Sequence, residues 1–462
     1  MRFDHQDTIA AVATSPGEAG IGIVRLSGTD AVRIAAAIFR AKDASKPPAW
    51  AGYSMRYGWI IDPLDPAKII DEVLLSVMRA PKSYTREDVV EINCHGGFVA
   101  VRAVLDAVLS RGCRLAEPGE FTRRAFLNGR IDLSQAEAVL DVIRAKTDAA
   151  LRMGVEQLRG ALSRKLAKIQ KTLLDQAVCL EAQIDFPEDA AEGQAQSGVR
   201  ANLAAVSVEL SRVLAQAFKG RILREGIHVV ICGRTNVGKS SLLNALLKQE
   251  RSIVTPVAGT TRDTIEEIVD IQGIPVRIVD TAGILKPRDV IEHKAVARSR
   301  RYITMADLAL VLFDASRSLG REDRSIIRKL KHRPCLAVIN KIDLPRRLDE
   351  QIIEKNFRHV VRVSAKKGRN LGELEKSIAE MACRGHLLAK EPVLVSNRRH
   401  AEKLKEAQKS VAESLKSLDN GVSIEFVAQG VRDALACIEE ILGRRVAEGL
   451  LDRIFAQFCV GK

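Results

Sequence analysis

Apolar positions change their spacing along this chain, and each change predicts a change of architecture. Over residues 1–120 they come in short runs. Residues 21–26, 73–77 and 89–92 predict strands, and helical spacing at 99–109 predicts a helix. Turn signals at Ser15-Pro16-Gly17, Gly20, Gly22 and Asp62-Pro63 divide them, so this is a compact α/β domain. From 133 to 184 the period becomes helical: Leu140, Ile143, Leu151, Val155, Leu158, Leu162, Leu166, Ile169, Leu173, Leu180 and Ile184 recur at three or four residues or multiples of these. That predicts a long amphipathic helix or helix pair, with Ser134 and Glu137 as its capping box. Pro187 and the acidic stretch after it end the pattern, and 206–218 reads as a second helix.

Over 226–383 the pattern alternates again. Runs at 227–232, 276–279, 308–313, 335–339 and 360–363 predict strands with helices between them, hence a parallel sheet covered on both faces. Helical spacing returns at Leu404, Val411, Leu415 and Leu418, then at Val431, Leu435, Ile438 and Leu442. A lone amphipathic helix cannot bury its stripe. The economical division is therefore an α/β domain at 1–120, an all-α domain built from 121–225 and 384–462, and a second α/β domain at 226–383 inserted into it. Two separate helical domains are the rival division.

With 462 residues, several cores are expected. The net charge of +14, from 72 basic and 58 acidic residues, suits a polyanionic partner such as RNA, or simply a basic solvated surface. Aromatics are only 4%, so base-stacking platforms are not evident. The eight cysteines (94, 113, 179, 232, 335, 383, 437 and 459) form no Cys-x-x-Cys pair, which argues against zinc and for reduced thiols. Cys232 and Cys335 lie in apolar runs and read as core. No apolar run is long enough to span a bilayer, and the start of the chain resembles no signal or transit peptide. A cytoplasmic protein without membrane or DNA partners is the expectation.

The candidate chemistry centres on Gly233-Arg234-Thr235-Asn236-Val237-Gly238-Lys239-Ser240-Ser241, between an apolar strand and a helical run. Strand, glycine turn and helix are the setting of a phosphate-binding loop. Its backbone N–H groups cradle phosphates, Lys239 reaches the β- and γ-phosphates, and Ser240 binds Mg²⁺. Three further motifs follow in order, each at a predicted strand end. Asp280-Thr281-Ala282-Gly283 suits water-mediated Mg²⁺ binding and a γ-phosphate contact. Asn340-Lys341-Ile342-Asp343 suits guanine, whose N1–H and exocyclic amine Asp343 can accept. Ser364-Ala365-Lys366 offers a backbone N–H to guanine O6. Together they predict a GTPase. The water-orienting Gln of Ras-like enzymes has no counterpart, since Ile284 follows Gly283. Residues 255–263, containing Gly259-Thr260-Thr261-Arg262-Asp263, offer oxygens near the phosphates, and Thr261 is the natural switch ligand of Mg²⁺.

Over essentially its full length the chain resembles the MnmE (TrmE) family of tRNA-modification GTPases. The most specific stretches are Pro118-Gly119-Glu120-Phe121 with Ala125-Phe126-Leu127-Asn128-Gly129, the 259–263 segment, and the terminal Phe458-Cys459-Val460-Gly461-Lys462. The resemblance implies an α/β P-loop GTPase domain inserted in an all-α helical domain, preceded by an α/β tetrahydrofolate-binding domain. It implies GTP-binding residues Asn236, Val237, Gly238, Lys239, Ser240, Ser241, Thr255, Pro256, Val257, Ala258, Gly259, Thr260, Thr261, Asp280, Thr281, Ala282, Gly283, Asn340, Lys341, Asp343, Ser364 and Ala365. It implies a K⁺ ion on Asn236, Thr255, the Val257 carbonyl and Thr260 that does the work of an arginine finger and lets two GTPase domains meet. The matching water-positioning acid is Glu292, which without the resemblance reads as a helix-surface acid.

The resemblance further implies that the N-terminal domain dimerises and binds 5,10-methylene- or 5-formyl-tetrahydrofolate through Arg25, Glu91, Arg130 and Lys462. It implies a homodimer that forms a heterotetramer with an FAD-dependent MnmG-like protein and modifies C5 of the wobble uridine in certain tRNAs. Cys459 is a possible functional thiol there, and a structural role fits it equally. Three positions depart from the family pattern: Thr235 for Pro, Leu285 for Arg and Arg86 for Gly. A ribosome-assembly GTPase is the competing reading. It predicts a dedicated RNA-binding domain after 383, where the pattern is helical and no KH-like Gly-x-x-Gly loop is evident.

Overall fold

A computed structural model describes residues 7–43, 50–186, 192–249, 267–280, 306–330, 332–383, 395–446 and 449–462, with backbone alone at 192–196, 248–249, 267 and 280. They form two compact units, residues 1–140 with 439–462, and 141–438.

In the first unit β1 (Ile9–Val12), β2 (Ala19–Ser27), β3 (Phe39–Ala41), β4 (Ser54–Ile61), β5 (Ile69–Met78), β6 (Val89–Gly96) and β7 (Arg114–Leu115) form one sheet in the order β3-β4-β5-β6-β2-β1-β7. All neighbours are antiparallel except β1 and β7. Strand side chains alternate between faces. Val24, Leu26, Leu75, Val77, Val90 and Ile92 therefore share a core with Ile34 and Ile38 of α1 (Ala31–Ile38) and Val104 and Val108 of α2 (Phe98–Leu109). Arg25 and Glu91, at the intervening positions, stand on the other face as cross-strand partners.

This unit extends past the boundary expected at 120. Phe121, in the first turn of α3 (Glu120–Leu127), is buried with Ile9, Ala11 and Ala116. Ile131, Leu133 and Leu140 share a cluster with Ile454, Phe455 and Phe458. Residues 121–140 and 439–462, expected in the helical domain, thus pack in the N-terminal unit because their apolar faces are completed there. Arg86 adopts φ +62° and donates from Nη1 to the Asn128 carbonyl at 2.9 Å. The backbone there is left-handed, a conformation costly for a non-glycine residue, and this bond supports it.

A partly buried ionic cluster anchors α3. Glu120 accepts from Arg114 (2.6 and 3.0 Å), Arg124 (3.0 Å) and the Glu117 N–H (2.9 Å), and Asp7 accepts from Arg114 at 2.7 Å. Burial works to raise both carboxyl pKa values, but the guanidiniums hold them below the usual range. A carboxylate with a depressed folded-state pKa stabilises the fold above the unfolded value, near 4, and loses that contribution as pH falls. Melting temperature is therefore expected to drop as pH is lowered through about 4. Glu120→Gln should melt lower at pH 7 and show a shallower acid limb. Parallel acid limbs in pH-resolved thermal melts would remove Glu120 from the effect.

The expected long helix from 133 is three helices: α4 (Leu133–Arg144), most of it in the first unit, and α5 (Asp148–Leu158) and α6 (Ala161–Asp185) in the second. Thr147 caps α5 by accepting from the Ala150 N–H at 3.1 Å, and left-handed Gly160 (φ +79°) precedes α6. The capping box of α4 also differs. Asp132 accepts from the Gln135 N–H at 2.9 Å and the Ser134 hydroxyl at 2.7 Å, while Gln135 Oε1 accepts from the Asp132 N–H at 3.0 Å. The reciprocal pair is Asp132–Gln135 rather than Ser134–Glu137, because the carboxylate takes two donors at once. The second predicted helix is α7 (Glu192–Ala215) followed by α8 (Ala217–Glu225). α7 packs on both α6 and a helix from beyond the inserted domain, α13 (Arg398–Asp419).

The inserted sheet contains β8 (Ile227–Cys232), β9 (Glu267–Ile271), β10 (Ile274–Asp280), β11 (Leu308–Asp314), β12 (Cys335–Asn340) and β13 (Val360–Arg362), ordered β13-β12-β11-β8-β10-β9. It is parallel except for β9, which the sequence reading did not predict. β9 turns into β10 through Gln272 (φ +53°) and Gly273 (φ +86°), a two-residue hairpin. α9 (Lys239–Gln249) and α12 (Leu371–Ala382) cover one face, where Leu242 and Ile378 meet Ile231 and Leu310. α10 (Arg321–Leu330) and α11 (Glu350–Asn356) cover the other, where Ile327 and Ile353 meet Val230 and Val311. Burial pushes the Cys232 thiol up to about 12 and that of Cys335 up to about 11, consistent with core roles. Among the described residues no helix is long and apolar enough to cross a membrane.

Candidate nucleotide site and a second site on the N-terminal sheet

β8 leads directly into the loop at 233–238. Gly233 (φ +154°), Asn236 (φ +60°) and Gly238 (φ +100°) give it a curl that turns successive N–H groups inward, the geometry of an anion nest. A Cβ on Gly238 would stand 2.4 Å from Asn340 Nδ2, so only glycine fits. Lys239 opens α9, is 6% exposed, and donates to the carbonyls of Gly233 (2.9 Å) and Arg234 (2.8 Å). Ser240 and Ser241 follow in the first helical turn, exposed. A positive ammonium, inward N–H groups and a helix N-terminus fit a polyphosphate, and the Ser240 hydroxyl suits Mg²⁺.

The base-reading residues converge on the same loop. Asn340 is 1% exposed. Its Nδ2 donates to the Val237 carbonyl at 3.0 Å and its Oδ1 accepts from the Ala365 N–H at 3.1 Å. Lys341 (φ +65°) donates to the Asn236 carbonyl at 2.8 Å and pairs with Asp314 at 2.7 Å. Asp343 is oriented by the Ser364 hydroxyl, which donates to its Oδ1 at 2.6 Å and holds its carboxyl below the usual carboxylate range. Asp280 closes β10 opposite Ile231. Of the remaining predicted residues, Thr255 to Thr261, Thr281, Ala282, Gly283 and Glu292 lie outside the described residues. Sequence reasoning missed Asp314. Its signal is an acid ending an all-apolar strand.

In the N-terminal unit, Arg25 and Glu91 meet on the face away from α1 and α2. Arg25 Nε donates to Glu91 Oε1 at 2.8 Å and Nη1 to the Gly461 carbonyl at 3.1 Å. The Arg25 guanidinium lies 5.9 Å from the Tyr84 ring centre and 5.7 Å from that of Phe121, and Arg130 lies 4.7 Å from Tyr84. Gly461 (φ +93°) passes so close to β1 that a Cβ would stand 2.3 Å from the Val12 carbonyl. Arg25, Glu91, Arg130 and the chain end are therefore neighbours, with Lys462 half-buried next to Gly461 and Cys459 exposed. Tyr84 and Phe121 are additions that sequence spacing did not mark. Arginines, one carboxylate and aromatic rings suit a planar ligand bearing carboxylates and N–H donors.

A family model described as GTP-binding protein TrmE N-terminus matches residues 8–130, and one described as MnmE helical domain matches 133–459. The chain is 45% identical over 460 residues to a tRNA modification GTPase MnmE of Alkaliphilus oremlandii and 46% identical over 459 residues to one of Geobacillus kaustophilus, covering 99% of each chain in both cases. Among solved structures it is similar to an Aquifex aeolicus Era variant bound to GDP·AlF₄⁻, at 31% identity over 40% of this chain and 66% of that one, TM-score 0.28.

Proposed function

Because the chain belongs to the MnmE family of tRNA modification GTPases, we propose that its N-terminal site binds a one-carbon tetrahydrofolate, 5,10-methylene or 5-formyl, for modification of the wobble uridine. In this reading the folate carbon becomes part of an aminomethyl or carboxymethylaminomethyl group at C5, made together with an FAD-dependent MnmG-like partner. The chain acts as a homodimer. GTP hydrolysis drives the rearrangement of the complex rather than the carbon chemistry. Asn236, Thr255, the Val257 carbonyl and Thr260 are the proposed K⁺ ligands, and Ser240 and Thr261 the Mg²⁺ ligands. K⁺ would supply positive charge at the transferring phosphoryl group. Glu292 is the proposed water-positioning acid.

The observation that supports the folate reading is that Arg25, paired with Glu91 and bonded to the Gly461 carbonyl, shares the Tyr84 ring with Arg130. Glu91 can accept from pterin N–H groups, and Arg25 and Arg130 can pair with the ligand's carboxylates. Calorimetric titration with 5-formyltetrahydrofolate is expected to show micromolar binding that Arg25→Ala weakens at least about tenfold, the scale of a lost charge-assisted hydrogen bond. No heat of binding in folded wild-type protein would leave a GTPase without a one-carbon site.

A further inference from the structure

Lys341 is gripped from both sides. Its ammonium donates to the Asn236 carbonyl of the phosphate loop at 2.8 Å and to Asp314 Oδ2, at the end of β11, at 2.7 Å. The Asp314 side chain is 3% exposed, and its other oxygen accepts from the Ser316 N–H (2.9 Å) and hydroxyl (2.6 Å). Burial works to raise the Asp314 carboxyl, and Lys341 with Ser316 holds it below the usual range. Asn236 is a non-glycine residue in the left-handed region, so its conformation needs support from its surroundings.

We propose that Asp314 is a positioning residue that fixes Lys341 across the phosphate loop and thereby slows release of the bound nucleotide. The aliphatic stem of Lys341 covers the base while its ammonium fastens the loop, so one side chain ties the two ends of the nucleotide site together. Asp314 sets the geometry of that tie without reading the base edge. Its effect is therefore the same for GDP and for IDP, which lacks the exocyclic amine.

The test is stopped-flow release of fluorescent GDP and IDP from full-length variants, with thermal melts alongside. Asp314→Asn is expected to speed release of both nucleotides equally, about tenfold or more, the scale of a hydrogen bond between charged partners. Lys341→Met keeps the stem but not the ammonium, and adding Asp314→Asn to it should change release no further. Should Asp314→Asn fail to fold, Asp314→Glu replaces it and is expected to give a smaller acceleration that Lys341→Met again abolishes. Release within twofold of wild type, acceleration of GDP alone, or multiplying effects in the double variant overturns the proposal.

Discussion

Asp343→Asn is expected to lower GTP affinity by up to about 10⁴-fold and to raise that for xanthosine triphosphate. The carboxylate offers two acceptors that can meet the N1–H and exocyclic amine of guanine. Ser364 fixes it by donating to Oδ1 at 2.6 Å, and that bond favours the ionised form at neutral pH. An amide at this position turns one acceptor into a donor, which leaves the guanine amine unpaired and suits the C2 carbonyl of xanthine. Competition of both nucleotides against a fluorescent GDP would measure this, and unchanged preference would remove Asp343 from base reading.

The second large effect is expected from Gly238→Ala. The added Cβ meets Asn340 Nδ2 at 2.4 Å, and Asn340 cannot swing aside without breaking its bonds to the Val237 carbonyl and the Ala365 N–H. The backbone at φ +100° adds strain for any side chain. Strain of about 1–2 kcal/mol and at least one lost buried hydrogen bond of about 1–3 kcal/mol predict a loss of nucleotide affinity of about 100-fold. The helix that follows is anchored by the Leu242 N–H on the Gly238 carbonyl, which alanine retains. The melting temperature should therefore change much less than affinity. Wild-type GDP binding in this variant would show that Asn340 yields at little cost.

Residues that act through their immediate neighbours were legible in the sequence. The strand at 227–232, the glycine turn and the helix opening at Lys239 follow from apolar runs, two glycines and a helical period, all local. That Asp343 offers a pair of acceptors was legible for the same reason, because a carboxylate's acceptors are fixed by residue type. Near misses were local competitions. Asp132 lay two residues before Ser134, and Thr147 and Gly160 broke a period that their neighbours sustained.

What the sequence by itself determined, then, is the order of motifs and the strand end on which each stands. Only the tertiary structure decided which ends meet. Asn340 reaches the Val237 carbonyl 103 residues away, and Arg25 reaches that of Gly461 across 436 residues. Asp314 joins Lys341 because β11 pairs with β12, so the ends of the two strands lie side by side. Tyr84 comes between Arg25 and Arg130 because Phe121 buries itself with Ile9 and Ala11, carrying α3 to that side of the sheet. Residue spacing carries no information about such encounters. They are fixed by which apolar faces bury one another when the chain closes on itself.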